Sequence, residues 1–418
     1  MLGLQELFEK TKDDLFSPNK VLTRIFEKEL ENIRLLISNT QRADFEEQFK
    51  DLSKGVKIDF SEEQIRNAGF KNEKELQPEI ERIFSKLPSK IEKLTSNMDK
   101  TMTRIVDEVT DKSVDPVIKT LNLRLKEMNE DQDSLMFSTA DSIKAIWGKP
   151  LSLLRGFITI VDESTQWYMH RTDDYSQNDL VQELLLRLTA KAVQISNEIY
   201  ILLGNGYSDG AQARWRSLHE LSAISLFISE QGNDVAERYI KHQAIDKYKS
   251  AIQYRKYRTR LGSKPVPMNT MSALRKEYDE LLEKYGQNYR HGYGWAAEAL
   301  SLKNPRFLDI ESSINLDHHR PYYKAASANI HCDPTGVFES LGALPYENKI
   351  IAGASNIGLI SPAQSLLISL NIITTTMLMH GNTIDSLVIC KVLAKYSKTV
   401  EQEFIDVERE IQNSLNFS

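Results

Sequence analysis

Arginine, histidine and glutamate gather within two helical turns at residues 214–220, RWRSLHE, the densest chemistry in the chain. On a helix Arg216 and Glu220 stand at i,i+4 and His219 three positions from Arg216, so the three share a face, with Trp215, Leu218, Leu221 and Ile224 on the other side. A histidine that exchanges protons near neutral pH, beside an arginine that stabilises developing charge, suits cleavage of a phosphodiester. Arg214 adds a second guanidinium. The competing reading is a helical salt bridge with a histidine nearby.

A second candidate group is Ser327 and His331, at i,i+4 on a helix that ends before Asp333-Pro334. The last turn of a helix is a favourable place for a cation, and the following turn leaves the ring accessible. Arg320, Tyr322, Tyr323 and Lys324 precede it, giving cationic and hydroxyl donors; a C-terminal capping histidine is the structural alternative. Ser327 lacks the glycine turn of a hydrolase nucleophile, which excludes a serine hydrolase.

Residues 238–260 hold Arg238, Lys241, Lys247, Lys249, Arg255, Lys256, Arg258 and Arg260 against the single acid Asp246, with Tyr239, Tyr248, Tyr254 and Tyr257 interleaved. Cations that hold phosphates and tyrosines that stack on unpaired bases would suit single-stranded RNA, with Lys247, Lys249, Tyr254, Arg255, Lys256, Arg258 and Lys324 as the substrate-binding set. A solvated helix face with tyrosines packed inward explains the same pattern. His318 and His319 are adjacent and would diverge on a helix, and no His-Glu-x-x-His motif accompanies them, so no metal site is expected. The chain lacks a P-loop, and Gly292-Tyr293-Gly294 lacks the strand and third glycine of a dinucleotide site, so no cofactor is expected.

The elements that must position these groups read as helices throughout. An apolar face at Leu184, Leu185, Leu188, Ala192, Ile195, Ile199 and Leu202 marks a helix over 180–203, closed by Gly204-Asn205-Gly206; Ser208 or Asp209 caps the next, about 210–229. Further helices are expected over 235–261, 271–285, 318–331, 362–379 and 383–414, with a glycine and aromatic loop at 285–295. Upstream, Ile91, Leu94, Met98, Met102, Ile105 and Val109 recur at steps of three and four, a coiled-coil-like seam for which 21–37, 117–128 or a second subunit would supply the partner. Asp59 to Glu63 and Leu87-Pro88-Ser89 read as helix boundaries. From Ile146 the chain becomes more apolar. The expected fold is all-α, with an N-terminal helical region over 1–145 and a helical domain over 146–418.

The motifs Arg216-Ser217-Leu218-His219-Glu220, Tyr293-Gly294-Trp295-Ala296 and the stretch Ser327 to His331 resemble an uncharacterised bacterial domain family met in defence loci, over about residues 147–400. That family is similar to the HEPN superfamily of helical domains, many of them metal-independent ribonucleases of toxins and abortive-infection systems. Its hallmark is an arginine, usually followed by a polar residue, and a histidine after an interval of about four to six residues. Arg214 to His219 fits the spacing, with Trp215 where a small polar residue is favoured; Lys324 to His331 has a comparable interval with lysine in place of arginine. The resemblance implies a HEPN-like bundle and a ribonuclease effector in anti-phage defence or a toxin system.

Composition sets the frame. The 418 residues are 41% hydrophobic and 27% charged with net charge −6, which excludes a protein that coats nucleic acid over its whole surface and confines any such site to a patch. Cys332 and Cys390 are too few for a disulfide framework, and the amphipathic start has no h-region, so a cytoplasmic protein is expected. The uncharged run 350–379 is long enough for a membrane span, but Ser361-Pro362 divides it into a loop and a buried core helix; no membrane association is expected. The expected partners are RNA, and a partner protein or a second copy through the N-terminal helices, giving a homo-oligomer. The rival function is a non-enzymatic helical sensor or scaffold that binds a partner protein.

Overall fold

The computed structural model describes residues 17–51, 56–95, 98–172, 179–331, 333–343 and 352–416, and the backbone alone at 94, 95, 98–105, 108, 109, 112, 172, 415 and 416. The described residues hold fourteen α-helices and short 3-10 turns with no strand, so the fold is all-α. By its internal packing the chain divides into Met1–Glu127 and Met128–Ser418.

In the first unit, helices α1 (Pro18–Asn32), α2 (Asn39–Gln48), α3 (Glu62–Asn67) and α4 (Glu73–Thr95) enclose a core of Phe26, Leu30, Phe45, Phe49, Ile65, Leu76, Ile80 and Ile83. The Phe26 ring meets Phe45 and Phe49 edge-on at 5.3 and 5.7 Å. Ser38 and Ser61 close full capping boxes with Gln41 and Gln64, as the serine at the 59–63 boundary requires. The boundary expected at Leu87-Pro88 is absent: Pro78 and Pro88 both lie inside α4. Leu76, Ile80, Ile83 and Leu87 bury one stripe of that helix, and burial of four such side chains, roughly 1.5–3 kcal/mol each, offsets a cost of ~3 kcal/mol for each proline.

Residues 21–37 are thus engaged with α2 and α4. The seam from Leu94 to Val109 lies outside the described side chains. Helix α5 (Met98–Thr172) continues through Pro116 and through residue 146 without a break. Its Val114, Ile118, Leu121 and Leu125 are exposed.

The second unit is built around α6 (Leu180–Gly204), α7 (Ser208–Gln231), α13 (Ile360–His380) and α14 (Ile384–Asn416), against which the buried end of α5 also packs. Between them lie α8 (Asn233–Tyr257), α9 (Met268–Tyr285), α10 (Phe307–Ser313), α11 (Arg320–His331) and the single turn α12 (Pro334–Phe338). Trp147, Phe157, Leu188, Ile199, Trp215, Phe227, Leu370, Ile373 and Phe404 share one core.

Helix α13 is long and apolar enough to cross a bilayer, yet 67% of its most apolar window is buried within the protein. Two of the polar residues that dot it are bonded inside the core: Ser369 Oγ accepts from Trp215 Nε1 at 2.9 Å, and Thr374 Oγ1 donates to the Leu370 carbonyl, whereas Asn371 Oδ1 is buried without a partner among the described residues.

The turn between α6 and α7 follows from Gly206, whose φ of +77° carries the chain into the left-handed region. A Cβ there would lie 2.7 Å from the Ser355 carbonyl oxygen, so glycine also permits the close approach of the Ser355 backbone, whose N–H donates to the Gly206 carbonyl. The expected cap by Ser208 or Asp209 is not what forms. Tyr207 occupies the N-cap position without a side-chain bond, and Asp209 instead accepts from the Leu341 N–H, Ser340 Oγ and Asn329 Nδ2, tying down the loop after α12.

Candidate functional site

Helix α7 buries Ala211, Trp215, Leu218, Ser222 and Ser225 against α6 and α13, while α10 and α11 pack along another side. Polar residues of α7 that meet α10 and α11 therefore leave water and must find partners there. Two connected layers of polar side chains result.

The inner layer is centred on Glu311, fully buried on α10. His219 Nε2 lies 2.9 Å from its Oε1, and Arg320 Nη1 donates to its Oε2 at 2.7 Å. A carboxylate accepts and does not donate, so Nε2 carries the imidazole proton in this pair. The rings of Trp215, Phe307, His319 and Tyr323 surround His219 at centroid distances of 5.3 to 5.9 Å. His219 is 1% exposed. His319, at the edge of this layer, is pushed down to about 4 by burial and by the neighbouring His318 and His219.

The outer layer is centred on Arg216. Its Nε donates to Glu220 Oε1 at 3.2 Å, its Nη1 meets His331 Nε2 at 3.1 Å, and its guanidinium lies 4.7 Å from the Tyr323 ring centroid. Tyr323 Oη donates to the same Glu220 oxygen. Burial opposes the charge on Arg216, but the Tyr323 and Glu220 contacts prevail and hold its pKa above the ordinary value. Burial and the Glu220 bond push the Tyr323 phenol up, and Tyr293 rises to about 12 through burial and the charge of Glu220. A guanidinium only donates, so the His331 nitrogen facing it is a lone-pair acceptor. The His331 ring is exposed. The site thus offers an exposed imidazole and a clamped arginine within hydrogen-bond distance, a pair suited to moving a proton beside a stabilised anion.

The residues singled out from the sequence fall in different places. Arg216, Glu220 and His331 come together; His219 lies beneath them as a buried partner of Glu311. Arg214 points elsewhere, pairing with Glu198 of α6 and donating to Ser217 Oγ at 3.2 Å, so the Arg214 to His219 spacing does not assemble one site. Ser327 Oγ donates to the Tyr323 carbonyl of its own helix, and Lys324 is exposed on α11. His318 and His319 do not diverge: they sit in a 3-10 turn, Asp317–His319, with ring centroids 4.1 Å apart. Among the described residues no group of three His, Cys, Asp or Glu side chains is placed to hold a metal ion; Cys332 lies outside those residues.

The basic helix α8 presents its cations but not its rings. Arg255 and Lys256 are exposed and Arg258 is half-buried. Lys247 donates to Gln243 and Lys249 to the Arg290 carbonyl. Tyr248 packs on Tyr278 of α9 at 4.6 Å, Tyr239 on Trp295 at 5.0 Å, and Tyr254 Oη donates to the Lys264 carbonyl. Tyr248 thus serves the α8–α9 packing, Tyr239 the contact with the 294–296 turn and Tyr254 the loop after α8, and only Tyr257 of the four is exposed, beside the Lys256 ammonium. Arg238 is buried, bonded to Asp234 and Glu298.

Glu311 was not among the residues the sequence pointed to, although a signal was present. Phe307, Ile310 and Ile314 trace an apolar helical stripe, and Glu311 stands inside it at i+4 from Phe307. An acid in such a stripe needs a buried cationic or donor partner.

No curated protein and no solved structure matches the chain. Residues 182–348, which carry both polar layers and the basic helix, are similar to DUF5677, a family of unknown function.

Proposed function

We propose that the chain cleaves RNA phosphodiester bonds, with His331 as the acid-base group and Arg216 as the charge-stabilising group. The observation that carries this reading is the 3.1 Å contact between Arg216 Nη1 and the exposed His331 Nε2, with Arg216 clamped by Glu220 and Tyr323. A phosphate drawn to Arg216 would take over that N–H and free the His331 lone pair. The ribose 2′-hydroxyl then loses its proton to Nε2, its oxygen bonds phosphorus, the P–O5′ bond breaks, and the imidazolium returns the proton to O5′. The products are a 2′,3′-cyclic phosphate and a 5′-hydroxyl. No metal ion is required by this chemistry. His219 is a positioning residue here: through Glu311 it fixes α10 against α7. Exposed Lys324, Arg255 and Lys256 supply cations for the RNA backbone.

Such an activity agrees with a HEPN-like ribonuclease effector acting in the cytoplasm in bacterial anti-phage defence or as a toxin. The exposed Val114, Ile118, Leu121 and Leu125 of α5 support self-association or partner binding through the N-terminal unit, which light scattering would read as a mass above 47.9 kDa. The test of the enzyme is cleavage of single-stranded RNA in EDTA by the parent, His331→Ala and Arg216→Ala. The expected loss is on the order of 100-fold in each variant. Intact RNA with the parent, or undiminished cleavage by His331→Ala, overturns it.

A second reading is favoured by a specific observation. Glu311 holds the buried His219 and the partly exposed Arg320, while Arg214 is paired with Glu198, so most of the polar set braces helices. A non-enzymatic sensor or scaffold needs no more than this, and intact RNA in every arm would favour it.

A further inference from the structure

Beside the Tyr293 end of the polar layers, α6, α8 and the loop before α10 line an open cavity of about 630 Å³. Its lining includes Glu183 and Arg187 from α6, Tyr239, His242, Gln243 and Asp246 from α8, and Tyr293 and Trp295 from the loop. The volume falls within the range of small-molecule sites, and the lining combines aromatic walls with a few polar groups.

His242 sets the polarity of this cavity. It is buried, and its Nε2 lies 3.0 Å from the Tyr289 carbonyl oxygen and 2.8 Å from that of His291. Two carbonyls accept and neither donates, so Nε2 carries the proton and Nδ1 is left as an acceptor. Burial lowers the His242 pKa, which favours the neutral ring. Nδ1 stands 3.7 Å from Asp246 Oδ2, one turn further along α8, at the solvent edge where the Asp246 side chain is 66% exposed. Two acceptors therefore face one another at a distance that a single N–H₂ group can bridge, donating one proton to each. The remaining wall charges are internally matched, since Glu183 takes both Nε and Nη2 of Arg187. Gln243 offers an amide beside them, and the half-buried rings of Tyr239 and Tyr293 offer faces for a planar group.

We propose that this cavity binds a nucleobase bearing an exocyclic amino group, with the amine donating to His242 Nδ1 and Asp246 and the ring lying against Tyr239 and Tyr293. A keto oxygen in the same position would face two acceptors, so adenine is preferred over hypoxanthine and cytosine over uracil. The base comes either from a free nucleoside or from an RNA strand; the recognition chemistry is the same. This goes beyond the cleavage reading and does not depend on it.

The test is isothermal titration of the full chain with adenosine, inosine, cytidine and uridine, and with adenosine and uridine hexanucleotides. Adenosine and cytidine should bind about tenfold more tightly than their keto counterparts, the worth of one well-placed hydrogen bond. Asp246→Ala, at an exposed position that leaves the His242 carbonyl contacts in place, should weaken that preference. A higher affinity for adenosine than for the adenosine hexanucleotide assigns a free ligand, and the reverse assigns an RNA base; both support the proposal. No heat with any nucleoside or hexanucleotide, equal affinities within each pair, or unchanged selectivity in Asp246→Ala overturns it. Because binding is read without cleavage, an inactive protein that still selects adenosine would sink the ribonuclease and leave the base site standing.

Discussion

His219 Nε2 and Glu311 Oε1, 92 positions apart in the chain, meet at 2.9 Å in the interior of the second unit. This pair joins α7 to α10, and Arg320 extends it to α11. Removing one partner of a buried pair leaves the other desolvated without compensation. Glu311→Ala should destabilise the second unit by roughly 3–5 kcal/mol. By contrast, His331→Ala, at an exposed ring, should cost about 0.5 kcal/mol or less. Urea unfolding of the two variants side by side checks the contrast, and equal midpoints would refute the assignment of inner and outer layers.

Stability should fall in mild acid because of His319. Its folded value, about 4, lies below the ordinary 6.5, so between these pH values the unfolded chain holds a proton that the folded chain does not. Stability contributed by the neutral ring is therefore complete above pH 6.5, is lost as pH falls towards 4, and is level below that. The expected loss is about 2 kcal/mol. His319→Gln should flatten that part of the curve in thermal melts taken across the range; a slope unchanged by the substitution would contradict the burial of this ring.

Gly206→Ala combines two penalties. The backbone φ of +77° disfavours any side chain, and the new Cβ would press on the Ser355 carbonyl at 2.7 Å and its N–H nitrogen at 3.0 Å. Backbone cannot rotate away as a side-chain end can. A loss of roughly 1–3 kcal/mol is expected, seen as a lowered melting temperature by circular dichroism.

If α8 holds RNA through its cations, charge removal should weaken binding uniformly across sequences. Arg255→Gln together with Lys256→Gln should lower the slope of log K against log salt by about 0.7 for each single-strand phosphate that the helix no longer neutralises. Filter binding over a range of salt concentrations measures it. Tyr248→Leu, which removes the ring, should leave RNA affinity unchanged, because that ring packs on Tyr278. A loss of affinity in folded Tyr248→Leu would return the tyrosines to base stacking.

Much of the helical architecture was legible in local pattern. The apolar face of 180–203 forms α6, Gly206 turns the chain, and the serine boundary at Ser61 forms a capping box. Pro88 misled, because a proline signal is local while the burial of Leu76, Ile80 and Ile83 against α1 is not. The basic and aromatic pattern of α8 left two readings open for the same reason: whether a tyrosine stacks on a base or on Tyr278 depends on a helix that arrives about twenty residues later along an α-helical hairpin.

Taken alone, the amino-acid order determined the all-α class, the approximate extents of half of the helices, all of them from residue 180 onward, and the i,i+4 neighbours Arg216 and Glu220, since each depends on periodicity within a few turns. Only the tertiary structure decided which histidine is open. His219 and His331 carry the same side chain in similar helical settings, and what separates them is the arrival of Glu311 and Phe307 over one and of Arg216 beside the other. Spacing brings Arg214 close to His219 along the chain, but a helix turns its side chains through 100° per residue, and α6 captures Arg214 while α10 captures His219. Contacts between residues about a hundred positions apart are set by how the helices pack, and no short motif encodes them.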